Sequence, residues 1–387
     1  ERWVFLLFSL LLCQVHSFED CSERTCQLQD KIRLVVVGDT GGIPLFETTK
    51  TQENVARQIA AVAAEGNIAA AINVGDNFYF NGVDNLDDPR FKSRFENVYW
   101  KDNLPWYVIA GNHDHFGNIS AQILHTNRSE KWFFPSLYYN LSWSSPSVSV
   151  DLLMLDTISL CGNTVDVVNG DLVDYVSAKL LKSLSELVGS ETPEGPKDPQ
   201  AAEKQWRWLE WHLNSSRADY LLVAGHYPIY SVASHGPTEC LRQRLLPLLR
   251  RYGVSAYLAG HDHTLQHFEE DGIAFIVSGA GSRSETSRGH VKDVPKDSFK
   301  FGFPRPRRWL PSVFGQLGFF MDGGHALLDF SSSTISSVSY VSEHGKLVYS
   351  APLSPRRGNP SSSSPSISPP READEIEILP AFVTEAP

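Results

Sequence analysis

Five short apolar runs in this 387-residue chain end in the same way. IRLVVV (32–37) runs into GDTGG, AAAINV (69–74) into GDNFY, WYVIA (106–110) into GNHDH, YLLVA (220–224) into GHYP, and VSAYLA (254–259) into GHDH. Runs this short, continuous and rich in Val, Ile and Leu read as strands covered on both faces. Between them lie helical patterns: Val55, Ile59 and Val62 at helical spacing, WRWLEWHL at 206–213, and CLRQRLLPLLRRYG at 240–253, where Gly253 supplies the stop. Strand alternating with helix predicts a layered α/β protein with a largely buried sheet. In such sheets ligands bind at the carboxyl ends of the strands, where all five polar clusters sit.

Length and charge narrow the class. The chain is long enough for one large domain or two ordinary ones, and 42% hydrophobic residues can fill a core. A formal net charge of -11 argues against a nucleic-acid surface, which needs clustered Lys and Arg, and RPRRW (305–309) reads as a short solvated loop. The first 17 residues, with a basic residue and an apolar block from Trp3 to Leu12, read as a secretory signal peptide cleaved near Ser17. No later segment is long and apolar enough to span a membrane, and no lipid-anchor tail is visible.

Secretion sets how the cysteines are read. Cys13 leaves with the signal, and Cys21, Cys26, Cys161 and Cys240 remain in an oxidising compartment. Of the three pairings open to them we expect Cys161 with Cys240, closing about 80 residues and contributing roughly 4 kcal/mol on the loop-entropy model. Cys21 and Cys26 then pair locally or stay free. Sequons at Asn118, Asn127, Asn140 and Asn214 fit the same compartment as glycosylation sites.

Two regions break the strand–helix rhythm. Residues 162–204 are polar, with Gly, Pro and Ser, and read as an exposed loop, either a lid or a protease-sensitive excursion. The segment 353–387 is rich in Ser and Pro, ends in an acidic stretch, and is expected to be disordered.

The strand ends carry donors for a metal. Asp39, Asp76, Asn112, His226, His261 and His263 each lie just after a strand and a glycine, and carboxylate, amide oxygen and imidazole suit iron, zinc or manganese. His261 and His263, two apart in extended backbone, point to one side. Tyr79 adds a phenolate, a hard ligand suited to a ferric ion. Each has a plainer reading alone: Asp39 as a turn former, Asn112 in the left-handed conformation that follows a glycine, His226 as a hydrogen-bonded structural residue. Five such clusters in one α/β pattern favour the shared site.

In this order, GDTG (38–41), GDNFY (75–79), GNHD (111–114), VAGH (223–226) and GHDH (260–263) resemble the signature of the metallophosphoesterase superfamily. The tyrosine of the second block narrows the resemblance to purple acid phosphatases. GNHDHFGNISAQI, MLDTISLCGN, YLLVAGHYPIYS, SHGPTEC and GVSAYLAGHDH are similar to the small mammalian-type members, from about Arg33 to Gly281, and 325–350 fits their closing strands.

The resemblance implies a layered β-sandwich flanked by helices (α-β-β-α), with residues 18–352 forming one catalytic domain. It implies a binuclear Fe(III)–M(II) centre, the second ion being iron, zinc or manganese. Asp39, Tyr79, His263 and a bridging Asp76 would hold the ferric ion; Asn112, His226, His261 and the same Asp76 would hold the divalent one. His113 and His235 match histidines that contact the phosphate or the leaving group, and either imidazole could donate a proton or orient the ligands. Asp114, His115 and Asp262 are expected to hydrogen-bond around the ligands.

The implied activity is that of an acid phosphatase, a phosphoric monoester hydrolase using an activated hydroxide on small phosphate esters or phosphoproteins. The protein would be a monomer, lysosomal or extracellular, with an activating protease cutting within 162–204. Two other readings fit the same residues: a metal-dependent phosphodiesterase or pyrophosphatase of the same superfamily, which has less use for Tyr79, and a non-enzymatic iron or redox protein. One block departs from the family pattern GDWGG, with Thr40 in place of the tryptophan.

Overall fold

The computed structural model describes residues 31–42, 48–164, 193, 195–305 and 321–357, together with the backbone of the short strand Cys26–Gln27. The signal segment, Cys13 and Cys21, the Cys26 side chain, most of the 162–204 loop, the basic stretch from 306 and the tail from 358 lie outside the described residues.

Two sheets form the centre. One has seven strands in the order Leu347–Pro352, Ser336–Ser342, Gly324–Phe330, Ile32–Val37, Ile68–Asn73, Trp106–Val108 and Trp132–Phe133. The other has eight, running Cys26–Gln27, Tyr139–Ser144, Ser149–Met154, Tyr220–Ala224, Ala256–Ala259, Ile273–Ser278, Leu265–Glu270 and Phe299–Phe303. The seven-stranded sheet is parallel from Ile32–Val37 out to Trp132–Phe133 and antiparallel from Gly324–Phe330 out to Leu347–Pro352. The eight-stranded sheet is parallel at its middle and antiparallel on either side, with Cys26–Gln27 added parallel at one edge.

Alternation within the strands explains the two cores. In YLLVA, Tyr220, Leu222 and Ala224 face the other sheet, whereas Leu221 and Val223 face two helices, Pro199–Ser215 and Glu239–Arg251. Both faces are covered, so all five residues are buried and the strand reads as a continuous apolar run. On the outside of the seven-stranded sheet, the helix Lys50–Ala64 buries Val55 and Ile59. The layers are therefore helix, sheet, sheet, helix, as the resemblance implied.

Local chemistry sets the helix ends. Thr49 accepts from the Gln52 amide at the start of Lys50–Ala64, and Asp198 accepts from the Gln200 and Ala201 amides with Pro199 opening the next turn. The helix predicted around Trp206 thus begins at Pro199. Gly253, with a φ of 64°, turns the chain out of Glu239–Arg251 as expected. Cys161 and Cys240 are bonded, tying the short helix Thr157–Cys161 to that same helix.

Candidate metal centre

The five parallel strands that end in polar clusters come from both sheets, three from one and two from the other, and their carboxyl ends converge. Two knots of donors result. In the first, the Tyr79 hydroxyl lies 2.8 Å from Asp39 Oδ1 and 2.9 Å from His263 Nε2, and His263 Nε2 lies 3.4 Å from Asp39 Oδ1. In the second, Asn112 Oδ1 lies 3.0 Å from His226 Nε2 and 3.1 Å from His261 Nδ1, with Asp76 Oδ1 3.4 Å from His226 Nε2. Donor separations near 3 Å are those of neighbouring ligands around a first-row ion with bonds of about 2.1 Å. Asp76, His226 and His261 present one ligand atom each within 4.8 Å of one another.

The backbone supplies this convergence by an unusual route. Asp39, Asp76 and His261 have φ values of 58°, 55° and 68°, the left-handed region that costs a non-glycine residue about 1–3 kcal/mol. Each strand is turned abruptly there, which swings the side chain over the sheet edge. Asn112 is not among the left-handed residues. Close approach is the reason for the glycine before it: a methyl on Gly111 would overlap the Asp76 carboxylate.

Buried hydrogen bonds then orient the donors. His226 Nδ1 donates to the Val74 carbonyl at 2.8 Å, which leaves Nε2 to face the cage. Asp39 Oδ2 accepts from the His261 amide, and Asp76 Oδ1 from the His113 amide. Asp114 sits in the middle, accepting from the amides of Asn77, Phe78 and Gly111 and from the side chains of Asn77 and Gln122. It pins the loop carrying Asp76 and Tyr79 to the loop carrying Asn112. His115 pairs with the buried Asp156 at 2.9 Å, and Asp262 accepts from the His235 amide at 3.0 Å.

Charge makes the cage demand cations. Burial, reinforced by the charge of Asp76, pushes the Asp39 carboxyl up to about 8 despite His226. For Asp76 burial works upward too, but the His226 and His113 charges outweigh it and hold the carboxyl well below its usual range. His226 is raised to about 9, because Asp76 overcomes the penalty of burying an imidazolium. Burial, then Asp39 and Asp76, keep the Tyr79 hydroxyl well above its ordinary value. Protons stand in here for positive charge, and metal binding would release them. A buried set of four oxygen donors and three imidazoles fits hard or borderline ions.

His113 and His235 flank the cage. His113 Nδ1 lies 2.7 Å from the Phe80 carbonyl and its ring 4.7 Å from that of Tyr79. The His235 ring lies over His261 at 4.1 Å between centroids. Thr40, where the family pattern has tryptophan, is buried and accepts from Asn73 Nδ2 at 3.2 Å. Asn163 donates to the Asn112 carbonyl, so the excursion at 162–204 departs directly beside the second knot. Asn118 and Asn127 are exposed, and Asn140 and Asn214 half-buried.

Three contributors carry no local signal in the sequence. Arg94 donates to the carbonyls of Gly41 and Tyr79; Arg283 lies over the Tyr79 ring; and Glu285 Oε1 accepts from the Ser234 amide, next to His235. None lies at a strand end or within a motif, so spacing could not have found them.

A two-sheet sandwich with paired oxygen and nitrogen donors at the ends of its parallel strands defines a metallophosphoesterase. The calcineurin-like phosphoesterase family matches residues 32–265. Tartrate-resistant acid phosphatase type 5 of Homo sapiens is 40% identical over 337 residues, spanning 85% of this chain and 92% of the human protein. Purple acid phosphatase 17 of Arabidopsis thaliana is 30% identical over 74% of this chain and 80% of its own length. Among solved structures, GAP50, the anchor in the inner membrane complex of Plasmodium, superposes with a TM-score of 0.64 at 23% identity, covering 84% of this chain and 90% of that one. A purple acid phosphatase from yellow lupin seeds gives a TM-score of 0.53 at 15% identity, covering 84% and 54%. The chain belongs to the purple acid phosphatases, in the group of the tartrate-resistant type 5 enzymes.

Proposed function

We propose that the chain is an acid phosphatase that hydrolyses phosphate monoesters at a binuclear centre, with Asp39, Tyr79 and His263 holding an Fe(III), Asn112, His226 and His261 a divalent ion, and Asp76 bridging. The observation that carries this reading is the meeting of those donors in two knots with spacings of 2.8–3.4 Å. Bound there, two cations would supply Lewis-acid charge for a phosphate ester and make water nucleophilic in acid.

The chain's own side chains do the remainder. Asp76, fixed by the His113 amide, sets the position of one knot against the other. His235, its ring tilted over His261 and its backbone held by Asp262, stands where an imidazolium can hand a proton to a departing alkoxide. His113, tied to Phe80, orients the Tyr79 side of the cleft.

Its substrates are small phosphate esters or phosphoproteins, and it works as a monomer in the lysosome or outside the cell, with residues 18–352 as its catalytic domain and cleavage within 162–204 as an activating step. No described helix is long and apolar enough to cross a membrane.

Purified protein is expected to be violet, to contain two metal ions, and to hydrolyse an aryl phosphate near pH 5. Asp76→Asn should lose bound metal and reduce kcat by more than the 10–100-fold that removal of a supporting partner costs. Metal analysis beside the rate decides it: a variant with full metal and activity would refute the bridging role of Asp76, and a colourless active wild type would refute the iron–tyrosine assignment.

A further inference from the structure

The strand Ile273–Ser278 is followed by a stretch with no regular structure, SRSE at 282–285, which runs along the metal centre. The stretch is anchored at both ends: the Ser282 hydroxyl donates to the Asp39 carbonyl at 2.6 Å, and the Glu285 amide donates to the His263 carbonyl at 2.8 Å. Between these anchors Arg283, only 3% exposed, turns inward. Its guanidinium carbon lies 4.3 Å from the centre of the Tyr79 ring and 5.4 Å from that of Phe80. Its Nε donates to His263 Nδ1 at 3.2 Å, and Nη2 lies 3.4 Å from His263 Nε2.

A buried guanidinium is costly unless anions compensate it. Here its neighbours are two of the three donors of the first knot, and its charge acts on the third, Asp39, as well. Arginine cannot shed its proton, so this charge is permanent. Its planar fork lies over the Tyr79 face and beside the edge of the His263 ring.

We propose that Arg283 is a positioning and charge-setting residue of the metal centre: it packs on the face of Tyr79 and against His263, and biases the centre toward its lower oxidation state. The direction follows from electrostatics, since a fixed cation stabilises the form with one positive charge fewer. This inference rests on the iron–tyrosine reading given above.

The test uses the full chain loaded with iron, with Arg283→Gln, which keeps an N–H donor and loses the charge, and Arg283→Lys, which keeps the charge and loses the fork. Iron content, the visible band and the midpoint potential are measured for each. The glutamine variant should retain iron and colour while its oxidised-to-reduced ratio at a fixed poise rises about tenfold, a fall in midpoint of about 59 mV for one electron. The lysine variant should keep most of the wild-type midpoint. A coloured, iron-loaded glutamine variant with an unchanged midpoint overturns the proposal alone. Should the glutamine variant fail to fold or to hold iron, lysine decides: a near-native midpoint supports the charge, and a midpoint lower by about 59 mV or more overturns it. Iron-loaded wild type that is colourless would instead sink the parent reading, and this one with it.

Discussion

At Asp114 one carboxylate answers five donors drawn from two loops and a helix. Burial, then the charge of Asp76, raises it to about 6. Its hydrogen bonds are what keep Asp76 and Tyr79 at a fixed distance from Asn112. Asp114→Asn removes half of the acceptor capacity and points an N–H at amide donors, leaving buried groups unsatisfied. We expect a loss of about 2–4 kcal/mol in urea unfolding and a 10–100-fold loss of metal affinity. A variant with native stability and metal content would show that the loops are held by their own turns. The sequence marks Asp114 only as a motif member; that it is a hub depends on Asn77 and Gln122, which no local pattern connects to it.

The elements behind the eight-stranded sheet are joined by a residue from the end of the described chain. Past the strand Leu347–Pro352, Arg356 donates through Nη2 to the Leu213 carbonyl at 2.9 Å, through Nη1 to that of Ser216, and through Nε to that of Tyr252 at 3.1 Å. These carbonyls lie at the ends of the helices Pro199–Ser215 and Glu239–Arg251, where unpaired acceptors and the negative end of the helix dipole favour a cation. Arg356→Ala should cost about 2 kcal/mol, with Arg356→Lys recovering part of it. Chemical denaturation of the three proteins measures this, and an alanine variant as stable as the wild type would leave the clamp without a role. The helices themselves were legible from apolar spacing, because each needs only one face against a sheet. Their clamp was not, because it spans 140 residues of sequence.

For the whole molecule, acid is the relevant stress, and one core histidine is exposed to it energetically though not physically. His325, on the strand Gly324–Phe330, is fully buried, and neither ring nitrogen meets a hydrogen-bond partner among the described residues. Burial pulls its pKa down to about 4. The unfolded chain takes up a proton near 6.5 and the folded chain only near 4, so this group's contribution is fully present above 6.5 and is lost as pH falls through that window, by about 3 kcal/mol in all. His325→Leu should therefore be more stable than wild type at pH 4.5 by a margin that shrinks at pH 7.5, the comparison cancelling the site carboxylates, which titrate in both proteins. Equal pH dependence in the two would mean that the ring finds a partner when protonated.

What the sequence determined by itself was the set of strand ends and the polar side chains gathered at them, because a strand covered on both faces must be apolar and the chain turns polar where it leaves the sheet. Periodicity likewise settled the three helices with one buried face. Only the tertiary structure decided how the two sheets face each other, and hence that donors from three strands of one meet those from two strands of the other. It also decided that Asp39, Asp76 and His261 take left-handed backbone, and that Arg283, Asp114 and Arg356 complete contacts across the fold. The reason is physical: a periodic pattern reports which face of an element is buried, whereas a contact between two elements depends on where every other element has placed them.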